Sequence, residues 1–191
     1  MRHNLSCLVT LLLLVCNSAG AAEEPSIVLH RQQVCPRDAT GWCDASSTGG
    51  HFAVSLPNPF NDGTIKARDK NGNPMATYVI GTTSPEGIKL TATCMFNPAL
   101  PATKASVDAL VQSLVKGVTV LDNQAFTQGG FSGRQLHVQQ KTSSAYVRVG
   151  SSHTAVYQII VEYPPSAAAQ AGIWAPRVFS SFAVTGAPEK P

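Results

Sequence analysis

The segment Gly130-Phe131-Ser132-Gly133-Arg134 comes nearest to a nucleophile motif in this sequence. Hydrolases of the α/β type place the catalytic serine on a sharp strand-to-helix turn, with glycines two residues to either side. Gly130 fits the first of these positions, but Arg134 stands where the second glycine is required, and the segment lies between predicted strands. We therefore interpret it as a β-turn before a strand and predict no catalytic residue in it.

The cysteines and histidines predict no second kind of reactive site. Cys94 lies in an alternating strand pattern without a basic neighbour in sequence, which favours an inert buried thiol over a nucleophile. The histidines of the mature chain are well separated and form no metal-binding spacing, so we expect no metal site. They are His30, His51, His137 and His153. Glycine-rich phosphate loops do not occur, so we also expect no cofactor.

The first 22 residues have the layout of a cleavable secretory signal peptide. Arg2 gives a positive start, residues 7–16 form an apolar run, and residues 19–21 (Ala-Gly-Ala) fit the small-x-small cleavage pattern. The apolar run has ten residues, whereas a membrane-spanning helix needs roughly 20. We therefore predict an exported protein, most simply periplasmic, with no transmembrane segment after cleavage.

Export places the remaining cysteines, Cys35, Cys43 and Cys94, where disulfides persist. Cys35 and Cys43 lie close together in a loop-like stretch, and we predict that they pair; the alternatives are two free thiols or a bridge to Cys94. A loop this short gives roughly 2.5 kcal/mol in the chain-entropy model. We do not expect a lipid anchor at Cys16, because the branched Val15 precedes it where lipoprotein signals need a small residue.

The charge of the mature sequence is small and scattered. Without Arg2, thirteen Lys and Arg stand against eleven Asp and Glu, a net charge of +2. Proteins that bind nucleic acid carry a basic stripe with exposed aromatic residues, and this sequence has none. We therefore expect no nucleic-acid partner.

Strands and two helices are predicted for most of the chain. An alternating strand over residues 52–56 is followed by a hairpin around Asn71-Gly72, and an antiparallel meander is predicted between residues 118 and 162. Apolar residues at helical spacing predict one helix that begins after Pro101, with Thr103 or Ser106 as its cap, and ends before Gly117. A second helix starts near Ser166. We expect the α+β class, with a single antiparallel sheet of about six or seven strands covered by these two main helices.

The chain divides by composition into four stretches. These are a signal peptide (1–22), an irregular segment with the cysteine pair (23–50), one α+β domain (51–186) and a tail (187–191). The mature part is one domain by length, since domains most often have about 100–150 residues.

Several segments together resemble the PsbP-like family, a group of small exported domains from bacterial envelopes and photosynthetic lumens. They are FAVSLPNPF, LVKG, GGFSGRQLHV, YVRVG, AVYQIIVEYP and RVFSSFAV, and they cover roughly residues 51 to 185. The family's opening strand, its Gly-x-x-Gly-Arg turn and its closing helix are matched by residues 52–57, 130–134 and 178–182. The resemblance implies a PsbP-like fold and a non-catalytic accessory role; the cysteine-bearing segment lies outside it.

Candidate ligand-binding residues lie on the predicted meander. Arg134, His137 and Arg148 come from adjacent strands, and strand alternation turns His137 and Arg148 away from their apolar neighbours. Arg134 shares the parity of Leu136, so it can instead anchor at the rim of the core. The alternative is that all three are ordinary solvated side chains, because exposed charge on one sheet face is normal.

These observations predict an exported, non-catalytic accessory or binding protein of the cell envelope. Its partner is expected to be another envelope protein or a small ligand. The sequence leaves two alternatives: a hydrolase-type enzyme whose site is assembled only in three dimensions, and a structural or stress-related envelope component.

Overall fold

Strands dominate the computed structural model, which describes residues 26–33, 36–57, 59–69, 71–99, 102–152 and 155–190. The elements in these ranges are β1 (Ser26–Gln33), β2 (Trp42–Ser46), β3 (Phe52–Pro57), β4 (Phe60–Arg68), β5 (Pro74–Thr83), β6 (Lys89–Phe96), α1 (Lys104–Val115), β7 (Thr119–Gln128), β8 (Phe131–Gln139), β9 (Ser144–Ser152), β10 (Ala155–Tyr163), α2 (Ala168–Ser181) and β11 (Ala183–Val184). The predicted signal peptide, Cys16, Cys35 and His153 lie outside the described residues.

The strands form two antiparallel sheets. One has eight strands in the order β1-β4-β5-β6-β10-β9-β8-β7, and the other has three in the order β11-β3-β2. The expected α+β class, with a single sheet of six or seven strands covered by two helices, is therefore wrong: the described residues are mostly β. The reason lies in β3, which is buried along most of its length because it belongs to the second sheet and packs on β5 and β6.

Local signals placed several elements correctly. Asp69 and Gly72 form the predicted turn between β4 and β5, where Gly72 adopts a φ of 81°. The strands β7 to β10 are consecutive neighbours in the large sheet, which confirms the meander. Helix α1 begins after Thr103, whose hydroxyl accepts a hydrogen bond from the backbone N–H of Ser106, as Ser and Thr caps do.

The segment predicted as irregular (23–50) contains two strands. Strand β1 covers residues 26–33 and pairs with β4, while β2 pairs with β3. Cys43 on β2 is disulfide-bonded. Because Cys35 is outside the described residues, the pairing of Cys35 with Cys43 stays a prediction.

Both faces of the large sheet carry a hydrophobic core, because its strands alternate between two buried sides. On one side, β5, β6 and β10 pack against the small sheet and α2 around a cluster of rings, Phe52, Phe131, Tyr157 and Phe182. On the other side, β8, β9 and β10 pack against α1; the buried residues there are Val107, Val111, Leu136, Val138, Val147, Val149 and Ile160.

A charged and aromatic cluster fixes residues 38–42 to α2. Nη2 of Arg177 donates to Oδ2 of Asp38 at 2.6 Å, and Nη1 donates to the hydroxyl of Thr40 at 2.7 Å. The same guanidinium lies 4.3 Å from the ring centroid of Trp42, and Trp42 meets Trp174 edge to face at 5.3 Å. Hydrogen bonds from the Thr40 hydroxyl and then from the Trp42 backbone hold the pKa of Asp38 well below its usual range.

We expect Asp38→Asn to destabilise the protein at pH 7 and to destabilise it by a smaller amount at pH 2. A depressed carboxyl pKa contributes stability that is fully present above the unfolded value of about 3.9, and this stability is lost as the pH falls through the folded pKa. Urea unfolding at both pH values, followed by the fluorescence of Trp42 and Trp174, measures the difference. Asp44→Asn is the matched control, because Asp44 is exposed on β2; an equal effect of both variants at pH 7 would contradict the prediction.

Candidate functional site

The large sheet leaves part of one side uncovered. Helix α2 packs mainly on β3 and β10, and α1 packs on the opposite side of β8 and β9. Several side chains of β7, β8 and β9 that point to the α2 side therefore remain partly or fully exposed, although Phe131 and Ser152 on the same side are buried. We call this surface the open face; it comprises Asp122, Gln124, Gln135, His137, Tyr146 and Arg148.

Strand register arranges the open face in two rows. Gln124, Gln135 and Arg148 are directly opposite one another on successive strands, and Asp122, His137 and Tyr146 form the next row. Rows on the same face of a strand are separated by two residues, or about 7 Å. The open face is thus a small, regular array that combines one cation, one carboxylate, amides and rings.

Arg148 lies at one end of the open face, beside two aromatic rings. Its guanidinium carbon is 4.9 Å from the ring centroid of Phe126 and 4.7 Å from that of Phe179. Nε donates to Oε1 of Gln135 at 2.7 Å, and Nη1 donates to Oε1 of Gln128 at 2.8 Å. Burial lowers the pKa of Arg148, but a guanidinium stays protonated in proteins. The result is a rigid, partly desolvated cation.

The same arginine closes the C-terminal end of α2. Nη1 of Arg148 donates to the carbonyl oxygen of Phe179 at 3.2 Å, and Nε2 of Gln128 donates to the carbonyl oxygens of Phe179, Ser180 and Phe182, each at 3.1 Å. The last carbonyls of a helix lack partners within the helix, and a cation near them is favoured by the helix dipole. Arg148 therefore has a structural role besides any role in binding.

Three rings meet at the other end of the open face. His137 stacks on Tyr146 with centroids 4.2 Å apart, and Nε2 of His137 lies 2.8 Å from Oη of Tyr163. Burial lowers the pKa of His137, although the charge of Asp122 opposes this. Burial, with a smaller effect of Tyr146, raises the pKa of Tyr163 to about 12. At neutral pH the pair is therefore an uncharged hydrogen bond, and Tyr163 is not an activated phenolate.

The structure separates the three residues singled out from the sequence. His137 and Arg148 lie on the open face, in adjacent rows. Arg134 lies on the opposite face of the sheet, where its Nε donates to Oδ1 of Asn123 at 2.8 Å. Sequence reasoning missed Tyr146 and Tyr163. Strand alternation could have identified both tyrosines. Tyr146 shares the face of Arg148 on β9, and Tyr163 shares the face of Tyr157 on β10.

The motif around Ser132 has the geometry of a turn and a strand. Gly129 and Gly130 form the turn between β7 and β8 with φ values of 55° and 79°, and Ser132 is exposed on β8. This confirms the interpretation as a β-turn before a strand. Cys94 is free and fully buried, and burial raises the pKa of its thiol to about 12, so the thiolate is strongly disfavoured.

A cavity of about 40 Å³ lies on the other side of the sheet, beside the last turn of α1. Its lining is largely apolar and includes Leu114, Val138 and Ile160, with Glu162 at one side. Pockets for drug-sized ligands have about 300–1,000 Å³, so the open face is the better candidate site. Within the described ranges, His, Cys, Asp and Glu form no group of three or more that could hold a metal ion.

No protein-family model matches the sequence, and no curated protein sequence matches it significantly. Among solved structures, the chain is similar to LpqN, which is described as involved in cell envelope biogenesis of Mycobacterium tuberculosis. The two chains are 13% identical, with a TM-score of 0.42 over 86% of this chain and 93% of that chain. At this identity and TM-score, the likeness does not establish a shared fold or a shared role.

The resemblance to the PsbP-like family is not supported. No family model matches, and the single helix-covered sheet that the resemblance implied is replaced by two sheets of eight and three strands. The matched segments contain core and turn residues, and such residues recur in many proteins built from short strands and turns. They are therefore not specific to the PsbP-like family. In the part of the chain that the structure describes, both helices are too short or too polar to cross a membrane.

Proposed function

We propose that this protein is an exported, non-catalytic binding protein of the cell envelope, in a bacterial periplasm, and that it binds through the open face. The leader-like first 22 residues support export. The observation that carries the binding role is Arg148, a cation beside two aromatic rings at the edge of the surface that α2 leaves partly uncovered. Binding sites need side chains that are locked before the ligand arrives, and hydrogen bonds and stacking fix Arg148, His137 and Tyr146 in this way.

The chemistry of the open face supports binding rather than catalysis. A nucleophile must be activated by a neighbouring base or by a lowered pKa. The hydroxyl beside His137 belongs to Tyr163, and its pKa is raised instead of lowered. The Tyr163 hydroxyl is therefore not activated as a nucleophile. The side chains of the open face are held in fixed orientations, and some of their hydrogen-bond donors have no partner among the described residues. These properties are typical of an accessory protein that binds another molecule.

Photo-crosslinking in the native host tests the proposed function. A photoreactive phenylalanine analogue at Gln124, which is exposed on the open face, is expected to capture the bound molecule. Intact-mass analysis of the recovered protein detects a small adduct, and electrophoresis detects a protein adduct. The matched control places the same analogue at Gln112, which is exposed on α1. Equal adducts at both positions, or none at Gln124, would overturn the proposal.

A further inference from the structure

The hydrogen-bond donors of Arg148 are unequally occupied. A guanidinium has five N–H donors in a planar fork. The single Nε donor goes to Gln135, and the two Nη1 donors go to Gln128 and to the carbonyl of Phe179. Among the described residues, no group accepts from Nη2. Its two donors are therefore available to a ligand.

The position of Nη2 follows from the geometry of the fork. Nη2 lies between Nε and Nη1 in the plane, and these two atoms bond Gln135 on β8 and Gln128 on β7. The head of Arg148 therefore lies among Gln135, Gln128 and the C-terminal end of α2. The ring centroids of Phe126 and Phe179 lie 4.9 Å and 4.7 Å from the guanidinium carbon, and carboxylate and phosphate oxygens bind a guanidinium best in the plane of its fork.

The charge of Arg148 is balanced only in part. Its acceptors are two neutral amides and one backbone carbonyl, and no carboxylate in the described ranges forms an ion pair with it. The end of α2 offers about half a negative charge at most. Partly buried cations are usually paired, so the remaining positive charge favours an anion from outside the chain.

Next to this cation the open face offers rings. Tyr146 precedes Arg148 by two residues on the same side of β9, about 7 Å away, and His137 stacks on Tyr146. Both rings are partly exposed. A ligand whose oxygen reaches Nη2 can therefore rest its body against the Tyr146 and His137 pair. The only carboxylate of the open face, Asp122, lies on β7 in the Tyr146 row, away from Nη2.

We propose that Arg148 is an oxyanion anchor, and that the ligand class is a small organic molecule with a carboxylate or phosphate at Nη2 and a planar body against Tyr146 and His137. This inference rests on the proposed function and names the ligand chemistry of the same surface. Benzoate and phenyl phosphate are suitable probes, since each joins an oxyanion to one ring. Benzamide has the shape of benzoate without its charge.

NMR titration of the exported protein with these probes tests the assignment. We expect benzoate and phenyl phosphate to shift the Nε–H signal of Arg148 and to bind roughly tenfold or more tightly than benzamide, because hydrogen bonds to a charged group are the strong ones. Equal binding of benzamide and benzoate would overturn the oxyanion anchor. Acetate and inorganic phosphate that bind as tightly as the ring-bearing probes would overturn the contact with Tyr146 and His137.

A second variant separates the ligand role of Arg148 from its role at the end of α2. Gln135→Glu places a carboxylate at Nε within the protein, so it is expected to weaken benzoate binding roughly tenfold or more while leaving the melting temperature unchanged or higher. Gln139→Glu is the matched control: it adds the same charge on the same face of β8, roughly 13 Å along the strand, where salt screens it. Unaltered benzoate binding in Gln135→Glu would contradict the anchor.

The outcomes for the two proposals are distinguishable. If the oxyanion probes do not bind but the crosslink at Gln124 persists, the ligand chemistry is wrong and the binding function stands. If the probes bind and the crosslinker at Gln124 captures nothing, the anchor stands and the proposed function is wrong for this surface.

Discussion

Replacement of Phe182 by alanine is expected to lower the free energy of unfolding by about 3–5 kcal/mol, the range for large-to-small changes at buried aromatic residues. Phe182 follows α2 directly and is almost fully buried. Its ring lies 5.0 Å from that of Phe131, 5.6 Å from that of Tyr157 and 5.7 Å from that of Phe52. Since Phe52 belongs to the small sheet and the other two rings to the large one, one side chain joins α2 to both sheets.

Thermal unfolding measures this effect as a fall in melting temperature on the order of 10 °C for a domain of this size. Ile173→Ala is the control, because Ile173 lies on the same helix but is 68% exposed. Exposed positions usually change stability by less than about 0.5 kcal/mol. A loss for Phe182→Ala as small as that for Ile173→Ala would show that the ring cluster does not join the sheets.

Gly133→Ala is expected to destabilise the protein by about 1–3 kcal/mol or more, as overpacking does. Gly133 on β8 lies opposite Gly150 on β9. A Cβ at Gly133 would fall on the carbonyl oxygen of Val149 and the Cα of Gly150, both backbone atoms. Backbone atoms of a central strand cannot move aside as the end of a flexible side chain can, so the β8–β9 pair would have to separate.

Gly172→Ala is expected to stabilise the protein, although the chemical change is the same as in Gly133→Ala. Gly172 is exposed on α2, and the nearest atom to an added Cβ is Oη of Tyr146 at 3.9 Å, an ordinary contact. Alanine is favoured over glycine in a helix by about 0.8–1.0 kcal/mol. Urea unfolding of both variants is therefore expected to give changes of opposite sign; destabilisation by both would point to a general intolerance of alanine instead of a local clash.

The sequence was sufficient where structure is set by neighbours along the chain. The cap at Thr103, the glycine at position 72 and the alternation in β7 to β10 each depend on a few adjacent residues, and the corresponding elements are in place. Strand parity also placed His137 and Arg148 on one face and Arg134 on the other. These signals are steric, so no tertiary contact is needed to detect them.

The sequence was insufficient where distant segments meet. The small sheet pairs β3 with β2 and with β11, and no local pattern in FAVSLP distinguishes this sheet from the large one. The same limit applies to the candidate site. That Arg148 closes α2 depends on Gln128, Arg148 and Phe179, which come from three elements. The sequence pattern of any single one of these elements does not predict this contact.

The pairing of β3 with β11 has a consequence for the export that we propose. Ala53 pairs with Ala183, so the small sheet and the rings around Phe182 can be completed only after nearly the whole domain has emerged from the translocation pore. Contacts between residues so far apart in sequence slow folding. A chain held in the pore before α2 emerges would leave Phe52, Phe131 and Tyr157 uncovered, and exposed apolar surface of this kind binds chaperones or aggregates. For the exported protein that we propose, the rate of secretion and the supply of chaperones therefore become determinants of yield.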